Sequence, residues 1–172
     1  SDIEKILRES KDINRRINER VDRVVERSKK TNEDILKKVK DAAEESKKTN
    51  DDIRKSPDSE EDVKRKLDDD NRKIRKAMEE LKKLLEDDER DVRRALEELR
   101  KLIEDNADDI RRKLKVEELV RELRRLVEES LKRIEKIIKD LEELIKETKR
   151  RLEEIIERLE KKNEDTEREA RK

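Results

Sequence analysis

The sequence predicts an all-α fold, an antiparallel up-down-up bundle of three long, untwisted helices. Three observations lead to this prediction. The chain of 172 residues has no glycine and one proline, its apolar residues recur every 18 residues, and two breaks divide it into nearly equal thirds. Natural domains average about 7% glycine, so a chain without glycine has few tight turns. Short connectors between long helices make neighbours in sequence antiparallel.

Only the spacing of its apolar residues separates this chain from a disordered one. Charged residues make up 60% of it and apolar residues 28%, proportions that often indicate disorder. Each third nevertheless carries an apolar stripe at helical spacing, widened by doublets such as Leu84-Leu85. The stripe of the second third is Val63, Leu67, Ile74, Met78, Leu81, Leu85, Val92, Leu96, Leu99 and Leu102. We therefore expect packed helices.

The stripes repeat with a period of 18 residues. Ile17, Ile35 and Ile53 share one column, and equivalent columns run through the middle and last thirds. Eighteen residues at about 3.6 per turn complete five turns, so each repeat returns to the same helix face. A seven-residue repeat drifts by about 20° and imposes a left-handed supercoil. The period therefore predicts straight helices packed side by side.

The first helix is expected over about residues 2–54 and the second over about 59–113. Ser1 and Glu4 have the spacing of a capping box, and Pro57 breaks the chain within a turn-like stretch. Asp58 or Ser59 is expected to cap the second helix.

The third helix is expected over about residues 116–172, although no glycine or proline precedes it. The apolar phase slips between Leu114 and Val116, which indicates a connector near residues 113–115. The alternative is one continuous helix from Ser59 to Lys172. With the connector, the whole of 1–172 is predicted to be a single elongated bundle.

Polar residues interrupt the apolar stripes with the same 18-residue period. In an antiparallel bundle they fall at three shared heights, because the numbers of Ser10 and Asn106, or of Ser28 and Asp88, add up to 116. We interpret them as three buried hydrogen-bond networks, which would specify one register. The alternative is that they lie on the solvated edge of the stripe. The three sets are Ser10, Asn14, Asn106 and Ser130; Ser28, Asn32, Asp88 and Thr148; and Ser46, Asn50, Asp70 and Thr166.

The sequence indicates no catalytic, cofactor-binding or metal site. Histidine and cysteine are absent, and acidic runs such as Asp68-Asp69-Asp70 lack the turn glycine of a calcium loop. Asp88 is interpreted as a network member and not as an acid–base group. The prediction is that the protein is not an enzyme and needs no cofactor.

Charge and hydropathy exclude several classes of partner. The chain has 52 basic and 52 acidic residues and no aromatic residue, so we expect no nucleic-acid partner. No apolar run approaches the roughly 18 residues that span a bilayer, no signal-peptide pattern opens the chain, and its location is not indicated. No membrane, small-molecule substrate or obligatory partner is expected. Self-association or binding of a partner helix is suggested by a wide apolar face formed by Val120, Val127, Ile138, Ile145 and Ile156.

The chain resembles computationally designed straight helical bundles and designed helical switches. The resemblance rests on the glycine-free helices, the strict repeat and segments such as ERSKKTNEDILKKVKDAAEESKK and LIEDNADDIRRKL. It implies a scaffold without a natural substrate, and the class includes modules that pair with a separate helix. A natural coiled-coil spacer of the spectrin-like kind is the remaining alternative, disfavoured by the regular repeat and the absent aromatics.

Overall fold

The structure, a computed structural model, describes residues 2–56 and 58–171. These residues form three helices: α1 (Asp2–Lys55), α2 (Glu60–Lys113) and α3 (Glu117–Arg171). No strand occurs in these two described ranges. The predicted all-α, antiparallel three-helix bundle is confirmed, whereas the straightness of its helices stays a prediction.

The helix ends are formed without glycine. Among the described residues none has a positive φ angle, so no helix ends in a left-handed residue. Ser59 caps α2, because its hydroxyl oxygen accepts a hydrogen bond from the Asp62 backbone N–H at 3.3 Å. The expected capping role of Ser1 and the break at Pro57 fall on residues outside the described ranges, as does Lys172.

The second connector consists of residues 114–116, between α2 and α3. Leu114 and Leu123 are both buried and belong to one apolar cluster. In a continuous helix, residues nine apart point in opposite directions at about 100° per residue, so both could not face one core. The reversal of the chain resolves this conflict. The alternative of a single helix from Ser59 to Lys172 is therefore wrong.

Charges mark the same boundary. The last turn of α2 carries Arg111, Arg112 and Lys113, and the first turn of α3 carries Glu117 and Glu118. Basic residues at a helix C-terminus and acidic residues at an N-terminus interact favourably with the helix dipole. This alternation of signs supports a stop and a new start at the connector.

The chain divides into two compact units, and each contains a segment of all three helices. The first unit comprises α1 up to Lys30 together with Asp88–Glu143, and the second comprises Thr31–Asp87 together with α3 from Leu144. The single domain expected over 1–172 stays a prediction.

The first unit is antiparallel between α1 and α2 and parallel between α1 and α3. Ser10 lies against Asn106, and Asn14 lies against Ser130. At the connector end, an apolar cluster closes the unit. Its buried members are Ile110, Leu114 and Leu123, and Ile6, Leu7, Val120 and Leu126 pack against them.

The second unit repeats this arrangement with two apolar clusters. The smaller cluster consists of Ile53, Val63 and Leu67. The larger consists of Ile35, Val39, Ile74, Met78, Leu81, Leu85, Ile145, Leu152 and Leu159. The antiparallel order of α2 and α3 is marked by an ion pair between Arg75 and Glu160 at 3.2 Å.

Two leucines of the expected stripe or its doublets lie at the surface. Leu102 is 41% exposed and Leu84 is 42% exposed, whereas the adjacent Ile103 and Leu85 are fully buried. Neighbouring helix positions differ by about 100°, and the core covers only one member of each pair. The prediction that Leu102 belongs to the core is therefore wrong.

Candidate functional site

The polar residues predicted to form layers are mostly inside the protein. Ten of the twelve are buried, and Asn14 and Asn106 are half-buried. Buried polar groups need hydrogen-bond partners, because an unsatisfied one costs about 1–3 kcal/mol. The partners decide what these residues can do.

The layer in the second unit is centred on Asp70. Its carboxyl Oδ2 accepts hydrogen bonds from the Ser46 hydroxyl at 2.7 Å and from the Asn163 amide at 2.9 Å. The same Asn163 amide nitrogen donates to Oδ1 of Asn71 at 2.7 Å. Both N–H groups of Asn163 are therefore used, and all three helices contribute to the layer.

Asn50 and Thr166 complete this layer. The Asn50 amide nitrogen donates to Oδ1 of Asn163 at 2.8 Å and to the Ser46 backbone carbonyl at 2.9 Å. The Thr166 hydroxyl lies within hydrogen-bond distance of Oδ1 of Asn50 and of the Lys162 carbonyl. We call Ser46, Asn50, Asp70, Asn71, Asn163 and Thr166 the lower network.

The lower network lies between the two apolar clusters of its unit. Along α1 it occupies Ser46 and Asn50, with Ile53 of the smaller cluster on one side and Val39 of the larger cluster on the other. Asn50 has no exposed surface, and Asn163 is 1% exposed. Water is thus excluded from hydrogen bonds that join three helices, and this strengthens their geometric demands.

The layer in the first unit is looser. The Asn106 amide donates to the Ser10 hydroxyl at 3.3 Å, and the Ser130 hydroxyl donates to Oδ1 of Asn14 at 3.2 Å. The Asn18 amide donates to the Ser130 oxygen at 3.3 Å, and its own Oδ1 accepts from Arg133. Its longer bonds and half-buried members expose this layer to competition from water.

The residues of the predicted middle set are divided between the units. In the first unit, the Ser28 hydroxyl donates to Oδ2 of Asp88 at 2.8 Å. In the second, the Thr148 hydroxyl donates to the Leu144 carbonyl at 2.9 Å, and Asn32 is buried. A middle network that joins all four stays a prediction.

Three layer residues were absent from the predicted sets. Asn163 has the largest role, because it bonds to Asn50, Asp70 and Asn71. Asn18 joins the first-unit layer in the same way. An asparagine that stands in an otherwise apolar column is the signal that identifies Asn163, since Val127 and Ile145 precede it at 18-residue intervals.

The layers are poorly suited to catalysis. Ser46 and Asp70 have the spacing of a nucleophile and its base, at 2.7 Å, but they are only 1% and 7% exposed. Substrate cannot reach the Ser46 hydroxyl in this state. No cluster of acidic side chains that could hold a metal ion occurs in the described ranges. None of the described helices has a segment apolar enough to cross a membrane.

The resolved pKa shifts belong to surface ion pairs and mark no site. A hydrogen bond from Arg150, with the charges of Arg150 and Arg151, holds the pKa of Glu147 below its ordinary value against a small opposing effect of burial. A hydrogen bond from Arg15 lowers the pKa of Asp12 in the same manner. Both pairs are formed within a single helix, at spacings of three or four residues, and are screened by solvent.

Comparisons with known proteins add one structural likeness. No protein-family profile matches the chain, and no curated protein sequence matches it. A solved structure described as a computationally designed three helix bundle is 21% identical, with a TM-score of 0.46, and the match covers 99% of this chain and 87% of that chain. The fold described above rests on this chain's own three helices and their contacts.

Proposed function

We propose that this chain is a designed helical-bundle scaffold without a natural biochemical activity, in which buried polar layers specify how the helices are aligned. The lower network is the observation that carries the proposal, because it joins all three helices through buried hydrogen bonds. The designed origin is supported by the glycine-free sequence and its strict 18-residue repeat.

Hydrogen bonds in the lower network discriminate between registers more sharply than apolar contacts do. A slip of α1 by one turn, about 5.4 Å, would move Ser46 and Asn50 away from Asp70 and Asn163. Buried donors and acceptors would then be left unsatisfied, at about 1–3 kcal/mol for each group. An aliphatic core re-forms most of its contacts after such a slip and offers less resistance.

The 18-residue period protects against small slips but not against a slip by a whole repeat. Moving α1 by 18 residues again places serine and asparagine at the polar heights. Such a slip covers about 27 Å, whereas the chain from Lys55 to Glu60 can span at most about 18 Å. The short connectors therefore exclude what the layers permit.

We expect removal of the lower network to broaden the register without unfolding the protein. The variant carries S46A, N50L, D70L, N163L and T166V. Its stability is expected to equal or exceed that of the parent, since apolar replacement of a whole buried polar cluster is often neutral or stabilising. Spin labels on cysteines introduced at Lys40 and Glu169, both exposed, would report the alignment of α1 with α3. The chain has no other cysteine.

In the parent, the two labels are expected to give one narrow distance distribution by pulsed electron resonance. In the variant, we expect additional distances that correspond to shifts of about 5 Å. A control with I35L, I74L and L81I changes the adjacent core but keeps every polar group, and its distribution should remain narrow. A single unchanged distance in the network-free variant would contradict the proposal.

A second candidate function is that of an interaction module that self-associates. Ile13 and Leu102 are 42% and 41% exposed, and they line the same surface cleft of the first unit. The apolar face of α3 that first suggested this function is largely covered, because Val127 and Ile145 are buried and Val120 is half-buried. The exposed pair is thus the better candidate contact.

Light scattering over a concentration series separates the two candidate functions. A constant mass near 20.9 kDa favours the scaffold, and a stable multiple of it favours the module. If the module is correct, I13K combined with L102E should restore the single-chain mass. Retention of the multiple in that variant would exclude this contact.

A further inference from the structure

The outer groove between α2 and α3 in the first unit is the cavity with the most apolar floor. Its volume is about 250 Å³. All of its lining residues lie between Glu104 and Leu131, within the first unit. The floor consists of Ala107, Ile110, Val120, Leu123, Val127 and Leu131.

The groove exists because a small residue occupies the α2 side. Ala107 stands one repeat after Glu89 and two repeats after Asn71, both of which have longer side chains. An alanine methyl leaves the space that those side chains would fill. Val127 and Leu131 of α3 face the same space without closing it.

Charge is unevenly distributed along this groove. At the end remote from the connector, its rim carries Glu104, Asp108 and Glu128. Towards the connector, the groove adjoins a second cleft that shares Arg111, Val120 and Arg124 with it. That cleft adds Lys115, Arg121 and the acidic Glu117.

The four cationic side chains at this end are available to a ligand. In the described part of the chain, the ion pairs formed include neither Arg111 nor Arg124, and neither Lys115 nor Arg121. Four positive charges accompany one negative charge there. Guanidinium groups bind carboxylates and sulfates through paired N–H donors, which gives orientation as well as affinity.

We propose that the α2–α3 groove of the first unit binds a free single-chain amphipathic anion, such as a medium-chain alkyl carboxylate. The alkyl chain lies on the apolar floor from Val120 to Leu131. The carboxylate lies at the connector end, between Arg111 and Arg124. The acidic side chains at the opposite end repel a reversed anion and fix its direction.

Isothermal titration with decanoate below its micelle-forming concentration tests this site. We expect saturable binding of one decanoate per chain. Octanoate should bind about tenfold more weakly, because two methylene groups leave the apolar floor. Decyltrimethylammonium has a chain of equal length and the opposite charge, and it should bind at least tenfold more weakly than decanoate.

Two matched double variants separate the site from general charge effects. R111Q with R124Q should weaken decanoate binding at least tenfold, since charge-assisted hydrogen bonds are lost. R112Q with R125Q makes the same change in net charge on the adjacent positions, which do not line the groove, and should leave the affinity within about twofold. A107L should abolish binding by filling the groove.

Several results would overturn the proposal. They are the absence of saturable binding, equal binding of decanoate and decyltrimethylammonium, and equal losses in the two arginine double variants. Undiminished binding to A107L would also overturn it, provided that its helix content by circular dichroism matches the parent.

Discussion

Replacement of Asn163 by aspartate is expected to lower the free energy of unfolding by about 3–5 kcal/mol. The two side chains have nearly the same shape, so packing is preserved. The substitution removes both N–H donors that Asn163 directs to Asp70 and Asn71, at 2.9 and 2.7 Å. It also places a second acidic group beside Asp70 in a site that is 1% exposed at position 163. Like charges at that distance repel strongly where water is excluded.

The matched control for N163D is the same chemical change at Asn71. Asn71 is half-buried, and it accepts the hydrogen bond from Asn163 through Oδ1, which an aspartate also provides. N71D should therefore cost about 1 kcal/mol or less. Unfolding in urea is followed by circular dichroism, since the chain has no aromatic fluorophore and guanidinium salt would screen its charges. Equal losses in N163D and N71D would show that the lower network does not depend on the donors of Asn163.

The periodicity of the sequence identifies the columns of this protein more reliably than the residues within each layer. Ser46, Asn50, Asp70 and Thr166 stand in columns with a polar residue at every repeat, so the period alone groups them. Asn163 stands in a column that begins with Val127 and Ile145. A search for polar columns therefore passes over it, although it makes more contacts between side chains than Thr166 does.

The sequence predicts the existence of an apolar face but not its angular limits. Leu84 and Leu85 are chemically identical, and both fit a widened stripe. Which of them is inside depends on where α1 and α3 lie around α2, and this is a property of packing and not of the α2 sequence. A three-helix core covers a limited arc of each helix, and Leu84 falls beyond it at 42% exposure.

The second connector shows how a helix can end where local sequence provides no breaker. Residues 114–116 contain neither glycine nor proline. Leu114 and Leu123 gain burial only if the chain reverses, and the dipole-compatible charges on both sides support that choice. The slip in apolar phase detects this conflict because it records two faces that one straight helix cannot bury together.

Substitution of Leu85 by alanine is expected to cost about 3–4 kcal/mol of unfolding free energy, the loss typical of a well-packed buried leucine. Leu85 has no exposed surface and lies in the larger apolar cluster of the second unit, with Ile35, Val39 and Leu152. Removal of its isobutyl group both loses buried apolar surface and leaves a cavity. Urea unfolding followed by circular dichroism measures the loss.

Leu84 provides the control for L85A, because it has the same chemistry one position earlier in the same helix. L84A should change the unfolding free energy by less than about 1 kcal/mol, since the side chain is already 42% exposed and alanine is the better helix former. If L84A costs as much as L85A, a second copy of the chain must cover Leu84. The cost would then shrink on dilution, because association stabilises the folded state only when partner molecules are present. A large loss that is independent of concentration would instead place Leu84 in the core and contradict the described packing.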